Sequence, residues 1–148
     1  NRLSIIDLSD AGNQPFLSDC GNYVLIFNGE IYNYLELRKL LQPKYTFKTQ
    51  SDTEVLLNAY REWGGECLDQ CNGMFAFAIW NLKEQTLFAA RDRFGVKPFY
   101  YFFDQNNFYF ASEINTLFAA GIAKIPNDKV WLNFFSEGSY GLPNETFW

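Results

Sequence analysis

The run Asn28-Gly29-Glu30 sets an amide, a bare backbone and a carboxylate on consecutive residues, directly after the apolar stretch Tyr23-Val24-Leu25-Ile26-Phe27. Two readings are open. An Asn-Gly pair after a β run commonly makes a tight turn, because both residues tolerate positive φ. If instead the Asn28 side-chain NH2 and the Gly29 backbone N–H converge on one point, they form a donor pair for an oxyanion. Glu30 would then hold a substrate cation. The same 148 residues contain no histidine, which removes Ser-His-Asp and Cys-His catalysis within the chain. A nucleophile here needs another base, and an N-terminal α-amino group, with a pKa near ~8, is one.

These residues need elements to position them. Tyr23 to Phe27 reads as a strand covered on both faces. Asn33, followed by Glu36, predicts a capping box for a helix whose apolar face is Tyr34, Leu37, Leu40 and Leu41, with Pro43 helping to stop it. Lys44 to Lys48 alternates like a half-exposed strand. Ser51-Asp52-Thr53-Glu54 predicts a second capping box, opening a helix with the stripe Val55, Leu56, Ala59, Tyr60 and Trp63 that ends at Gly64-Gly65. Asp52 then lies in a first turn, where the helix dipole favours a carboxylate without any ligand. Upstream, Leu3 to Leu8 reads as a buried strand closed by the turn-rich residues 9–15, and Arg2 alone reads as a loose terminal arginine. From Met74 on, Met74–Trp80, Thr86–Arg91, Phe99–Phe103 and Phe108–Ala111 read as strands of an antiparallel meander. Arg91-Asp92-Arg93-Phe94-Gly95 reads as a solvated turn with local ion pairs. Two helical runs follow, one capped by Ser112 and stopping at Gly121, one over Lys129–Glu137 ending at Gly138. The class is α+β.

Four stretches in order, Arg2-Leu3-Ser4-Ile5-Ile6-Asp7, Asn28 to Asn33, Ser51 to Glu54 and Arg91-Asp92-Arg93-Phe94-Gly95-Val96-Lys97-Pro98, resemble the glutaminase domain of glutamine-hydrolysing asparagine synthetase. The resemblance spans nearly all of residues 1–148 as one glutamine amidotransferase type 2 domain. It implies a four-layer αββα sandwich of the N-terminal-nucleophile hydrolase type, here an incomplete copy lacking the N-terminal cysteine strand and the closing strands. It implies Asn28 and Gly29 as the oxyanion hole. Arg2 would clamp the α-carboxylate of L-glutamine, with Leu3, Ser4, Ile5 and Ile6 beside it, and Glu30 and Asp52 would hold the α-ammonium. A guanidinium fork suits a carboxylate because it donates two parallel hydrogen bonds. The family's nucleophile is a cysteine at the mature N-terminus, whereas this chain begins at Asn1. The chain alone is therefore expected to be inactive, Cys20 being a poor substitute without an amine or imidazole to lower its pKa. ATP and Mg would belong to a missing C-terminal synthetase domain, which is also the expected partner, and no cofactor is expected in this chain. A homodimer of the full-length protein stays open.

Composition narrows the classes. A net charge of −5 without a basic block argues against nucleic acid. The longest unbroken apolar run, Met74 to Trp80, is too short to span a membrane, and no signal peptide opens the chain, so a cytoplasmic location is expected. Cys20, Cys67 and Cys71 form no disulfide framework, and without histidine a zinc site lacks ligands. Cys67 and Cys71, four apart, read as packing residues. Two alternatives stay open: the glutaminase half of another class II amidotransferase, such as glucosamine-6-phosphate synthase or phosphoribosyl-pyrophosphate amidotransferase, or a non-catalytic module that binds glutamine or a partner protein.

Overall fold

A computed structural model of the chain describes residues 13–139 and 145–148. The chain divides into two compact units, Asn1–Phe99 and Tyr100–Trp148. In the first, β1 (Phe16–Leu17), β2 (Tyr23–Ile31), β3 (Gly73–Asn81) and β4 (Thr86–Arg91) form one antiparallel sheet in the order β1-β2-β3-β4. Between β2 and β3 run α1 (Tyr34–Leu41), α2 (Asp52–Trp63), a 3-10 turn (Gly64–Glu66) and α3 (Cys67–Gln70). Alternation along β2 and β3 decides the layers. Leu25, Phe27, Ile31, Phe75, Phe77 and Ile79 share one core with Leu37 and Leu41 of α1 and with Val55, Leu56, Leu57 and Ala59 of α2. The opposite face carries Asn28 and Glu30, whose cross-strand partners are Ala76 and Met74.

The two helices start and stop for different reasons. Asn33 caps α1 by position only, since its side chain makes no cap bond. Its carboxamide instead donates to the Gln70 carbonyl (2.8 Å) and accepts from Asn72 N–H (2.9 Å), tying α1 to the end of α3. The expected capping box is thus replaced by a tertiary tie. In α2 the Ser51 hydroxyl does accept from Glu54 N–H, and Gly64, at φ +57°, ends the helix. Residues 44–48 form no strand. Arg38 lies over the Phe47 ring at 4.5 Å and Arg61 over the Tyr45 ring at 4.8 Å, and the Lys48 N–H is taken by the Glu54 carboxylate instead of a neighbouring strand. Cys67 and Cys71 are buried, as their packing role requires.

The second unit holds β5 (Tyr100–Phe103) and β6 (Phe108–Ala111), an antiparallel hairpin that forms its own two-stranded sheet rather than extending a meander from β4. Asp104 closes its turn by accepting from the N–H groups of Asn106 and Asn107. After it come α4 (Ile114–Ala119), whose N-cap is Glu113 rather than Ser112, and α5 (Asp128–Glu137), capped by the Asn127 side chain and stopped by Gly138 in the left-handed region.

Candidate active site

β2 runs straight through Asn28-Gly29-Glu30, so the pair is not a turn. Its Cα partners on β3 are Asn28↔Ala76, Gly29↔Phe75, Glu30↔Met74 and Ile31↔Gly73. The glycine is needed for closeness rather than for reversal. A Cβ on Gly29, at φ +153°, would lie 2.1 Å from the Met74 carbonyl oxygen and 2.7 Å from Phe75 Cα. Gly73 answers it across the ladder, where a Cβ would meet the Glu30 carbonyl oxygen at 2.2 Å.

In an antiparallel ladder the N–H and C=O of one residue point to one side, and those of the next to the other. Tyr32 N–H donates to the Asn72 carbonyl on the β3 side, so the odd-numbered residues turn to the opposite edge. On that edge Phe27 is fully occupied: its N–H donates to Gln14 Oε1 (2.7 Å) and its carbonyl accepts from Gln14 Nε2 (2.8 Å). Ile31 N–H donates to Asp52 Oδ2 at 3.0 Å. The Gly29 N–H lies between these two fixed points, directed away from β3. Asn28 and Glu30 project together from the sheet face opposite the helices.

Asp52 is only 6% exposed. Burial pushes its carboxyl above the usual range. The N–H groups of Ile31, Thr53 and Asp52 itself work against that shift, and the charge of Glu30 adds to it. Two carboxylates therefore repel one another at the end of β2, an arrangement that a bound cation relieves. Glu54, which sequence reasoning treated only as the far end of a capping box, does something else. Its carboxylate accepts from Lys48 N–H (2.9 and 3.1 Å), Thr49 N–H (2.7 Å) and the Thr49 hydroxyl (2.8 Å). It thus orders the approach to Asp52 instead of returning to Ser51. The pattern Ser-x-x-Glu carried that possibility, but the acceptor's direction is set by residues 48–49.

Arg91 to Gly95 does form an exposed turn, with Phe94 92% exposed and Arg93 paired to Asp69 at the surface, but the stretch closes around a buried carboxylate. Asp92 is 7% exposed and serves as an acceptor hub. Its Oδ1 takes the N–H groups of Phe94 (3.2 Å) and Val96 (2.9 Å), and its Oδ2 those of Lys97 (2.9 Å) and Phe75 (3.1 Å). Asp92 N–H also donates to the Phe75 carbonyl, so Asp92 occupies both backbone groups of the residue opposite Gly29. Arg91 closes the same loop by donating to the carbonyls of Lys97 and Gly95. The ion pair of Arg93 with Asp69 is exposed and peripheral. Burial opposes ionisation of Asp92, yet these N–H groups hold its pKa below the ordinary carboxylate value. An Asp92→Ala variant is expected to lose about 3 kcal/mol, because several backbone donors lose their acceptor together. The depressed pKa adds a sign. The contribution of Asp92 is present above the unfolded carboxylate pKa and is lost as pH falls through the folded one, so the variant's deficit shrinks in acid. Urea midpoints across the acid range measure both, and a deficit unchanged by pH would refute the charge argument.

Cys20 is exposed in the turn before β2. Its thiol is lowered after all, first by the Ser18 hydroxyl at 3.3 Å and further by the Asn22 backbone and Arg61. It nevertheless lies beyond the Tyr23 end of β2, about 17 Å along the strand from Asn28 at the usual rise per residue. Burial pushes the Cys67 and Cys71 thiols up, to about 12 and about 11, so both are inert. Arg2, Leu3, Ser4, Ile5 and Ile6 lie outside the described residues, as does the expected strand Leu3–Leu8. Among the described residues no cluster of potential metal ligands occurs, and no helix is long and apolar enough to cross a membrane.

A family model described as a glutamine amidotransferase domain matches residues 1–148. The chain is 52% identical over 120 residues to glutamine-hydrolyzing asparagine synthetase 1 of Bacillus subtilis, covering 80% of this chain and 19% of that protein. It is 44% identical over 135 residues to glutamine-hydrolyzing asparagine synthetase 3 of the same organism, with 89% and 22% covered. The chain thus spans about a fifth of the length of these relatives. Among solved structures, the glutamine phosphoribosylpyrophosphate amidotransferase of Bacillus subtilis, complexed with ADP and GMP, matches at a TM-score of 0.61 and 27% identity. That match covers 73% of this chain and 26% of the other. With the antiparallel sheets described above, it supports the expected fold, an incomplete sandwich of the N-terminal-nucleophile hydrolase type.

Proposed function

The chain belongs to the glutamine amidotransferase domain family, and from that premise we propose that it is the glutaminase part of an asparagine synthase, hydrolysing L-glutamine to glutamate and ammonia. The observation that carries the site assignment is the edge of β2. There the Gly29 N–H is flanked by the Gln14 carboxamide at Phe27 and by Asp52 at Ile31, with Asn28 and Glu30 on the adjoining face. Glu30 and Asp52 hold the α-ammonium, which removes their mutual repulsion. Arg2 takes the α-carboxylate, with Leu3 to Ile6 alongside.

In this reading the side-chain amide of glutamine lies at the Asn28 end of the pocket. A cysteine thiolate adds to the amide carbon, and the Asn28 side chain and Gly29 N–H stabilise the oxyanion that forms. The C–N bond then breaks as the amide nitrogen takes the proton that the nucleophile's own α-amino group had accepted from the thiol, ammonia leaves, and water cleaves the thioester to glutamate, restoring the thiol. Neither Cys67 nor Cys71 is reactive, and Cys20 is remote. The proposed nucleophile is therefore the N-terminal cysteine implied by the family resemblance, which is not among these 148 residues. The ammonia is used by a synthetase part that takes ATP and Mg and amidates aspartate, and the protein works in the cytoplasm, with a homodimer as the proposed assembly.

Ammonia release from L-glutamine by the full-length protein tests the activity. Calorimetric titration of L-glutamine tests the pocket, with Arg2→Ala expected to abolish the heat because it removes the carboxylate clamp. A full-length protein that neither binds L-glutamine nor releases ammonia from it would refute the proposal.

A further inference from the structure

We propose that Gln14 is a positioning residue for the oxyanion site, an inference that rests on the glutaminase reading: it aims the Gly29 N–H by holding β2 from its outer edge. β1 pairs with β2 only at Phe16↔Leu25 and Leu17↔Val24. Continued by two residues, that register brings position 14 opposite Phe27. Among the described residues no strand continues there, and the Gln14 side chain takes its place. Its Oε1 accepts from Phe27 N–H at 2.7 Å while its Nε2 donates to the Phe27 carbonyl at 2.8 Å. A carboxamide is suited to this because it offers an acceptor and a donor on separate atoms.

The consequence falls on Gly29, two residues further along the same edge. Glycine has the freest backbone of any residue, and the direction of its N–H is set by the peptides on either side. On one side the Asp52 carboxylate fixes Ile31, on the other Gln14 fixes Phe27, and Asp92 fixes Phe75 across the ladder. Of the three, Gln14 is nearest in sequence to the proposed donors Asn28 and Gly29 on their upstream side. Its removal frees the Phe27 peptide and lets the donor pair drift from the point where negative charge develops. Glu30 and Asp52, which hold the other end of the amino acid, keep their places.

This separates chemistry from binding. In the full-length protein, Gln14→Glu and Gln14→Met preserve the bulk of the side chain. The first keeps an acceptor but sets a carboxylate oxygen against the Phe27 carbonyl, and the second supplies neither strong partner. Both are expected to fold, as read by thermal melting. Both should lower kcat for ammonia release roughly 10- to 100-fold, the scale of a small misplacement of reacting groups. KM for L-glutamine and Kd for L-glutamate should change by less than about 2-fold, because an interaction made only in the transition state leaves ground-state binding alone. Retention of kcat in both variants would overturn the proposal. So would a rise in KM at constant kcat, or failure of both variants to fold, which would make the contact merely structural. A wild-type protein that releases no ammonia would instead overturn the glutaminase reading, and this inference with it, before any variant is compared.

Discussion

A Gly29→Ala variant is expected to lose roughly 3–5 kcal/mol of stability, from overpacking and backbone strain together. The added Cβ would stand 2.1 Å from the Met74 carbonyl oxygen and 2.7 Å from Phe75 Cα, and both are backbone atoms that cannot rotate aside. Relief requires β2 and β3 to part, which breaks the longest pairing in the sheet, the nine partners from Tyr23↔Asn81 to Ile31↔Gly73. The φ of +153° adds strain for any residue with a side chain. Set against the 5–15 kcal/mol total typical of a domain, a loss of this size leaves little margin. Gly21→Ala is the control. It also sits at positive φ, +70°, but a Cβ there meets nothing within 4 Å, so only the conformational cost of about 1–2 kcal/mol applies. Urea denaturation of the two variants should separate them clearly. Equal losses would show that φ alone, and not the approach of β3, requires the glycine.

That glycine also explains where sequence reading stops. β4 and β6 were legible to the residue, Thr86–Arg91 and Phe108–Ala111, because short polar turns bracket them. α2 was legible from both its ends, Ser51 and Gly64, and α5 from its stop at Gly138, because capping is local chemistry; the Asn127 cap that starts α5 was not read, and the helix begins one residue earlier, at Asp128. β2 was read four residues short. The Asn-Gly turn signal is equally local, whereas the reason for Gly29 lies on Phe75 and Met74, more than forty positions away. Gln14 was hidden in the same way: beside Pro15 it looks like turn material, and its role exists only once β1 has set the register against β2. Asp92 was half legible, since an aspartate accepting from residues two to five positions on is a turn habit, but its hold on Phe75 is not. The nearness of Glu30 to Asp52 came from family resemblance alone, because no periodicity joins a strand end to the first turn of a later helix.

Asp52→Asn is expected to weaken L-glutamine binding about 100-fold or more, within the 2–5 kcal/mol seen when one partner of a buried charge pair is removed. The same substitution should leave the fold as stable as before, or more so. The asparagine oxygen can still accept from Ile31 N–H, so the tie between β2 and α2 survives. What disappears is a charge that the fold disfavours. Burial, then Glu30, hold the Asp52 pKa above its unfolded value, so above that raised pKa the ionised group subtracts from stability. As pH falls through it, the native protein regains what it lost, and its difference from the variant closes. Urea midpoints of the two proteins from neutral pH downward, beside calorimetry with L-glutamine, test both halves. An asparagine variant that binds L-glutamine normally would remove Asp52 from the site. One several kcal/mol less stable at neutral pH would show that the carboxylate serves the fold. The expected pair of results follows from one cause: the scarcity of water that makes the buried Asp52 charge costly also lets an ammonium group bind it strongly.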